Sequence, residues 1–265
     1  MDKNNLLHFY KYHGAGNDFI LVDNRKTAFN HQNPPVLASL CDRRFGIGGD
    51  GIMFIQDKEG YDFEMIYYNS DGNPSSMCGN GGRCIVAFAR YLNMIKEETN
   101  FLAVDGPHYA KISENGDWVS LQMIDVSQIY KDDEAFILNT GSPHYVKEVA
   151  GLSELDVYQA GKEIRDSTPY KEHGINVNFV EEKDGRLFVR TYERGVENET
   201  YACGTGVTAV AIAMAQKKGL FGEISTPIEV RGGHLNVKFH RQGNLFTRVF
   251  LEGPAKFVFE GDILI

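Results

Sequence analysis

Cys78-Gly79-Asn80-Gly81 and Cys203-Gly204-Thr205-Gly206 stand 125 residues apart. Each opens an apolar run with helical spacing: Ile85, Val86, Phe88, Ala89 and Leu92 after the first, Val207, Val210, Ala211 and Met214 after the second. Each follows a segment that reads as a strand, Phe63 to Tyr67 and Leu187 to Tyr192, and then a turn, Asn69-Ser70-Asp71-Gly72 and Glu193-Arg194-Gly195. A second pair keeps the same spacing of 125, Gly16-Asn17-Asp18-Phe19 against Gly141-Ser142-Pro143-His144, each ahead of a short apolar run. Two matches at one offset predict two similar halves, each alternating strands with one well-defined helix. The first half runs over 1–126 and the second over 127–253. A surplus strand from Ala255 to Phe259 is expected to bring 254–265 back to the first half. The fold class expected is therefore α+β. Further strands are predicted over Val119–Met123, Leu235–Phe239 and Leu245–Phe250, and further helices over Val36–Asp42, after Pro34-Pro35, and Glu154–Ile164.

Composition narrows the function. The 265 residues include 42% hydrophobic and 12% aromatic ones, enough for a substantial core and against disorder. A net charge of −9 argues against nucleic acid or an anionic membrane as partner, since both need a basic footprint. The first residues show no basic and apolar signal sequence, and the most apolar helical stretch, Val207 to Ala215, is far short of a membrane span. A cytoplasmic location follows, and with it four reduced cysteines. Their spacing is not that of a zinc site, and no metal is expected. The run Gly46-Ile47-Gly48-Gly49-Asp50-Gly51 fits a dinucleotide fingerprint in letters only. It follows an expected helix and leads into the strand-like Ile52-Met53-Phe54-Ile55, the reverse of what nucleotide binding needs.

A cysteine in a glycine-rich helix start has a specific chemistry. The first N–H groups of a helix lack internal partners and carry the positive end of its dipole, which suits a carboxylate and lowers a neighbouring thiol pKa. Two such units facing each other across a cleft would hold one small carboxylate, with a sulfur on each side of its α-carbon. One thiolate would take the α-proton, one thiol would return a proton on the other face, and the stereocentre would invert. Cys41 and Cys84 have no repeat partner and read as structural, Arg83 and Arg90 as solvated helix-surface residues.

These residues resemble diaminopimelate epimerase, and the resemblance covers nearly the whole chain. It is carried by His13-Gly14-Ala15-Gly16-Asn17-Asp18-Phe19, Asn69-Ser70-Asp71-Gly72, Met77-Cys78-Gly79-Asn80-Gly81-Gly82-Arg83-Cys84, Gly141-Ser142-Pro143-His144, Asn176-Val177, Glu193-Arg194-Gly195, Glu199-Thr200 and Ala202-Cys203-Gly204-Thr205-Gly206. It implies two pseudo-symmetric lobes, each a mainly antiparallel sheet or barrel wrapped around a central helix, with the active site in the cleft between them. It implies cofactor-independent interconversion of LL- and meso-2,6-diaminopimelate, for lysine synthesis and cell-wall peptide. Cys78 is then the acid and Cys203 the base from LL to meso. Gly79, Asn80, Gly204 and Thr205 hold the reacting carboxylate. Asn17, Asn69, Asn176, Glu193 and Arg194 hold the rest of the substrate, Arg194 suiting the distal carboxylate and Glu193 an ammonium. His144 and Glu193 assist the thiols. A small-molecule substrate is the partner implied, and a homodimer is allowed.

Four departures touch neither reacting cysteine: Asn73 for a usual Ser, Ser142 for a common Asn, Gly51 where some members have a substrate-contacting Gln, and one extra residue in Val196-Glu197-Asn198. The competing readings are a proline or hydroxyproline racemase, a cysteine nucleophile with His144 as base, an inactive amino-acid-binding module, and a thiol-redox sensor.

Overall fold

The computed structural model describes residues 6–26, 29–75 and 77–265. The first five residues, where no signal sequence is expected, lie outside the described ones. The chain divides into two compact units, Met1–Leu121 with Pro254–Ile265, and Gln122–Gly253.

In the first unit the elements are β1 (Leu6–Gly14), β2 (Asn17–Asp23), α1 (Pro34–Cys41), β3 (Gly51–Gln56), β4 (Phe63–Asn69), α2 (Gly79–Tyr91), β5 (Glu98–Ala103), β6 (Gly106–Ile112) and β7 (Trp118–Gln122). In the second they are β8 (Ile129–Asp132), β9 (Ala135–Asn139), β10 (Pro143–Glu148), α3 (Val157–Arg165), β11 (Asn176–Lys183), β12 (Arg186–Glu193), β13 (Asn198–Thr200), α4 (Gly204–Lys218), β14 (Gly222–Val230), β15 (Gly233–Gln242) and β16 (Leu245–Pro254). The last strand, β17 (Lys256–Leu264), pairs antiparallel with β1.

The pairing order of the first unit is β17-β1-β2-β3-β4-β5-β6-β7, antiparallel throughout except at β2–β3 and β4–β5. That of the second is β8-β9-β10-β11-β12-β14-β15-β16, antiparallel except at β10–β11 and β12–β14. The parallel pairs therefore fall at the same two places in both series. A parallel pair needs a long crossover, and in each case one helix supplies it: α1 and α2 in the first unit, α3 and α4 in the second.

Within each unit the two crossover helices take different environments. On the first unit's sheet, Ile20, Val22, Ile52 and Phe54 pack with Leu37, Leu40 and Cys41 of α1. In the second, Val177 and Phe179 pack with Val157 of α3. The alternate residues point the other way, as the two-residue period of a strand demands. There lie α2, buried at every position from Gly79 to Ala89, and α4, buried at nearly every position from Gly204 to Ala215. Both helices are thus held by packing on nearly every side. Among the described residues no helix is long and apolar enough to cross a membrane.

Two helix starts differ from expectation. Pro34 and Pro35 lie inside α1, at its first positions, where a missing N–H costs nothing. The helix expected from Glu154 begins only at Val157, because the Asp156 carboxylate caps it by accepting from Gln159 N at 3.0 Å. The glycine run at 46–51 folds back onto the end of α1. Ile47 and Gly48 both donate to Leu40 O, and a Cβ on Gly46 would stand 2.1 Å from Ser39 O.

Candidate active site

Cys78 and Cys203 occupy the same station in their units. Each is the residue just before a buried helix, in extended backbone (φ −109°, ψ 125° and φ −114°, ψ 110°), and neither side chain caps its helix. The first helical bonds close from Gly82 N to Cys78 O at 2.7 Å and from Val207 N to Cys203 O at 2.9 Å. The three N–H groups ahead of each closure have no acceptor inside the helix and point toward its start. The second glycine of each motif serves packing. A Cβ on Gly81 would stand 2.2 Å from Met53 Cε, and one on Gly206 2.4 Å from Asn178 Oδ1.

Around Cys78 the side chains form a directed line. Buried Arg83 donates from Nη2 to Asn80 Oδ1 at 2.8 Å, Asn80 Nδ2 donates to Asn17 Oδ1 at 3.2 Å, and Asn17 Nδ2 donates to Asp50 Oδ2. Asn17 Oδ1 also accepts from Cys78 Sγ at 3.7 Å. Asp50 is held by Arg43, which forks onto Asp18 as well, and Lys11 lies 2.6 Å from Asp18. Burial alone would raise the Asp18 carboxyl. Its hydrogen bonds from Arg43 and Lys11 outweigh that and hold it at about 2. Arg83 corrects the sequence reading: it is 0% exposed, not a solvated surface residue, and burial lowers its pKa to about 10. The sequence held no signal for this: Asn80, Arg83 and Arg90 share one face of α2, the pattern of a helix with a solvated side. Arg90 does lie at the surface, donating to the carbonyls of Lys96 and Glu114.

Around Cys203, the Thr205 hydroxyl lies 3.6 Å from Sγ, and Thr140 Oγ1 donates to Thr205 O at 2.8 Å. His144 on β10 is fully buried. Its Nδ1 accepts from Asn178 Nδ2 at 3.1 Å, which puts the proton of the neutral ring on Nε2, an atom with no hydrogen-bond partner. Burial first, then the nearby Arg194 charge, push its pKa down to about 3. Burial thus favours the neutral ring near pH 7, with Nδ1 already taken by Asn178, an arrangement that argues against the nucleophile-with-histidine-base reading.

The other expected site residues cluster on two turns. Asn69 is exposed at the end of β4. Its turn is closed by backbone bonds and by Asp71, which accepts from Asn73 N and Nδ2, so the Asn69 side chain is not what makes the turn. Asn176 ties the second unit's loops together: Nδ2 donates to Ser142 Oγ at 2.9 Å and Pro143 O at 3.0 Å, and Oδ1 accepts from Arg194 N at 2.9 Å. Arg194 is exposed. Its guanidinium touches His173 O at 3.2 Å and Ser142 Oγ at 3.3 Å, and among the described residues no carboxylate pairs with it. Glu193 accepts from Thr200 Oγ1 at 2.8 Å. The extra residue of 196–198 is absorbed in a tight turn where Glu197, at φ 55°, donates to Glu193 O and accepts from Gly195 N and Tyr192 OH. Gly51 is required by Tyr67, whose ring would lie 2.5 Å and hydroxyl 3.0 Å from a Cβ there.

Comparison with known proteins bears directly on this arrangement. The profile of the family described as Diaminopimelate epimerase matches residues 9–129 and 136–258. A diaminopimelate epimerase from Flavobacterium psychrophilum is 52% identical over 255 residues, covering 96% of this chain and 99% of that one. One from Chlorobaculum tepidum is 39% identical over 260 residues, covering 95% and 99%. Among solved structures, a phenazine biosynthesis protein of the PhzF family from Bacillus anthracis superposes with a TM-score of 0.76 at 15% identity, covering 98% and 99%. A hydroxyproline epimerase from Agrobacterium vitis gives 0.70 at 13%, covering 100% and 94%. At these identities the two structures speak for the fold alone. The full-length sequence matches go further, and on them the chain belongs to the diaminopimelate epimerase family.

Proposed function

We propose that the protein interconverts LL- and meso-2,6-diaminopimelate without a cofactor, using Cys78 and Cys203 as its two bases. The observation that carries this is the pair of cysteines at identical capping positions of two buried helices. From LL to meso, the Cys203 thiolate takes the α-proton. The electron pair left on the α-carbon spreads into the carboxylate, which the N–H groups at Gly79, Asn80, Gly204 and Thr205 stabilise. The Cys78 thiol then gives its proton to the opposite face. The products are the inverted centre, a Cys203 thiol and a Cys78 thiolate, and the reverse reaction exchanges the roles. His144, neutral, contributes a hydrogen-bond donor rather than a charge.

Arg194 supports the choice of substrate. A guanidinium with no carboxylate partner among the described residues suits a distal carboxylate, which diaminopimelate has and proline lacks. Asn69 and Glu193 complete the reader of the distal centre, Glu193 facing its ammonium. Asn176 contributes through the Oδ1 lone pair that its bond from Arg194 N leaves, and Asn17 through its second Nδ2 proton. The product serves lysine and cell-wall precursor synthesis, so the enzyme acts in the cytoplasm, and a homodimer is the proposed assembly.

The test is proton NMR of LL-diaminopimelate with the reduced protein in deuterium oxide. Deuterium entering one α-position as the meso isomer appears, and loss of this in Cys78→Ala and Cys203→Ala, is the expected result. Exchange of proline instead would make the protein a racemase of that class. Silence with every amino acid would leave a binding module.

A further inference from the structure

The two halves repeat their strand pairings but not the polar side chains beneath the two cysteines. At the offset of 125, Asn17, Asp50, Asn80 and Arg83 correspond to Ser142, Ile175, Thr205 and Thr208. Among the described residues, the first unit carries a line of side chains whose direction is set at both ends. Arg83 is a donor without acceptor atoms, so Asn80 must turn Oδ1 toward it and Nδ2 away. Ionised Asp50 is an acceptor without protons, so Asn17 must turn Nδ2 toward it and Oδ1 away. Both constraints place the same atom, Asn17 Oδ1, against Cys78 Sγ. A carbonyl oxygen accepts a bond from S–H and repels a thiolate. Beside Cys203 the corresponding neighbour is the Thr205 hydroxyl, which can rotate to donate to a thiolate.

We propose that the Arg83–Asn80–Asn17–Asp50 line assigns the resting proton to Cys78, making Arg83 and Asp50 positioning residues that act through the two amides. The assignment rests on the two-cysteine epimerase reading for its meaning: the resting protein is then loaded for the LL isomer, with Cys203 as the base. The charged and titratable groups around Cys78 are Arg83 and Cys84 on α2, Lys11 on β1, Asp18 on β2, and Arg43 and Asp50 on the loop before β3. Lys11 and Arg43 offset Asp18 and Asp50, and Cys84 stays protonated by burial. Arg83 and the helix-start N–H groups of α2 pull toward a thiolate, and the Asn17 Oδ1 acceptor beside Cys78 opposes them.

The measurement is the pH dependence of iodoacetamide alkylation at each cysteine, read peptide by peptide by mass spectrometry. Asn17→Leu removes the acceptor at similar volume and keeps every charge. It should lower the Cys78 titration midpoint by about one pH unit, so that alkylation at pH 7 is about tenfold faster, with Cys203 unmoved. A midpoint that stays or rises overturns the proposal. Asp50→Ala tests positioning. It should speed Cys78 alkylation in the parent and change nothing further in the Asn17→Leu background. Equal shifts in both backgrounds would mean that Asp50 acts by its charge, which overturns its positioning role. If Asp50→Ala fails to fold, Asp50→Asn is read in the same cycle. None of these readouts requires turnover, so a failed deuterium exchange in the parent would sink the epimerase reading while leaving the thiol titrations to stand or fall alone.

Discussion

Replacing Gly206 with alanine puts one methyl at the junction of α4, the Cys203 side chain and the polar group under His144. Helix propensity alone favours the change, by about 0.5–1 kcal/mol. The new carbon would lie 2.4 Å from Asn178 Oδ1 and 3.2 Å from Cys203 Cβ and Sγ, and carbon contacts inside 3.0 Å are essentially never adopted. Asn178 is fully buried and cannot yield alone. Its Oδ1 accepts from Thr191 Oγ1 at 3.0 Å, and its Nδ2 donates to Tyr145 O at 3.0 Å and His144 Nδ1 at 3.1 Å. Overpacking costs about 1–3 kcal/mol and a weakened buried hydrogen bond about 1 more, so the net expectation is a loss of about 1–3 kcal/mol. Urea unfolding followed by circular dichroism reads this as a lower midpoint at unchanged slope. The epimerisation rate should fall by about 10–100-fold, because the same methyl displaces the sulfur by a fraction of an ångström. Gly81→Ala is the internal control: there the obstacle is Met53 Cε, the far end of an unbranched chain that can swing aside, and the loss should stay within about 1 kcal/mol. A Gly206→Ala protein as stable and as fast as its parent would refute the claim that Asn178 is rigidly held.

His144 makes the protein acid-sensitive. Its pKa is about 3 when folded and 6.5 in the unfolded chain, so its contribution is intact above pH 6.5 and is lost progressively as pH falls toward 3. Between pH 7.5 and 5 the parent should lose about 2 kcal/mol more than His144→Gln, and parallel losses in urea titrations would contradict the assignment. Arg194→Met should raise KM for diaminopimelate by about 10–100-fold, from loss of a charge-assisted contact, and Arg194→Lys should recover only part; an unmoved KM would remove the distal-carboxylate role. Cys84 is fully buried and burial pushes its thiol far above the ordinary range, so it should resist alkylation at pH 8 in folded protein, and Cys84→Ala should keep epimerase activity. Labelling at Cys84 without unfolding would show that α2 opens.

The sequence showed its local signals and its repeat: the duplication at 125 residues and the surplus last strand, which pairs with β1, were both legible. A glycine-flanked cysteine before an apolar run announces a helix start, and alternation announces strands such as Leu235–Phe239, found within β15. The parts that escaped depend on enclosure and on long-range approach. Arg83 reads as a surface residue because an arginine on a helix ordinarily has water beside it; here α2 is buried on every side, and the guanidinium is satisfied by Asn80 Oδ1 and Gly79 O instead. Asp50 sits in a glycine run that looks like a loop and nothing more, and its importance follows only from β2 lying parallel to β3, which brings Asn17 to its carboxylate. His144 could be singled out from its motif, but not its protonation state, which burial decides.

The internal duplication carries a further step. A reaction that inverts a stereocentre needs two bases of similar reach, which favours copying one cysteine–helix unit. It also needs those bases in opposite protonation states at any moment, which a perfect copy would not provide. The conserved part of the copy is accordingly the backbone: the same capping geometry at Cys78 and Cys203, the same placement of parallel pairs, a glycine at the same close approach. The divergent part is the side chains that tell one sulfur from the other. An ionised carboxylate and a buried guanidinium stand where the second unit has Ile175 and Thr208. Charge at both ends of an amide pair removes the freedom to flip, and a hydroxyl beside Cys203 retains it. The difference between the halves is thus of the kind that separates an acid from a base, placed on side chains that leave the backbone of each helix start unchanged.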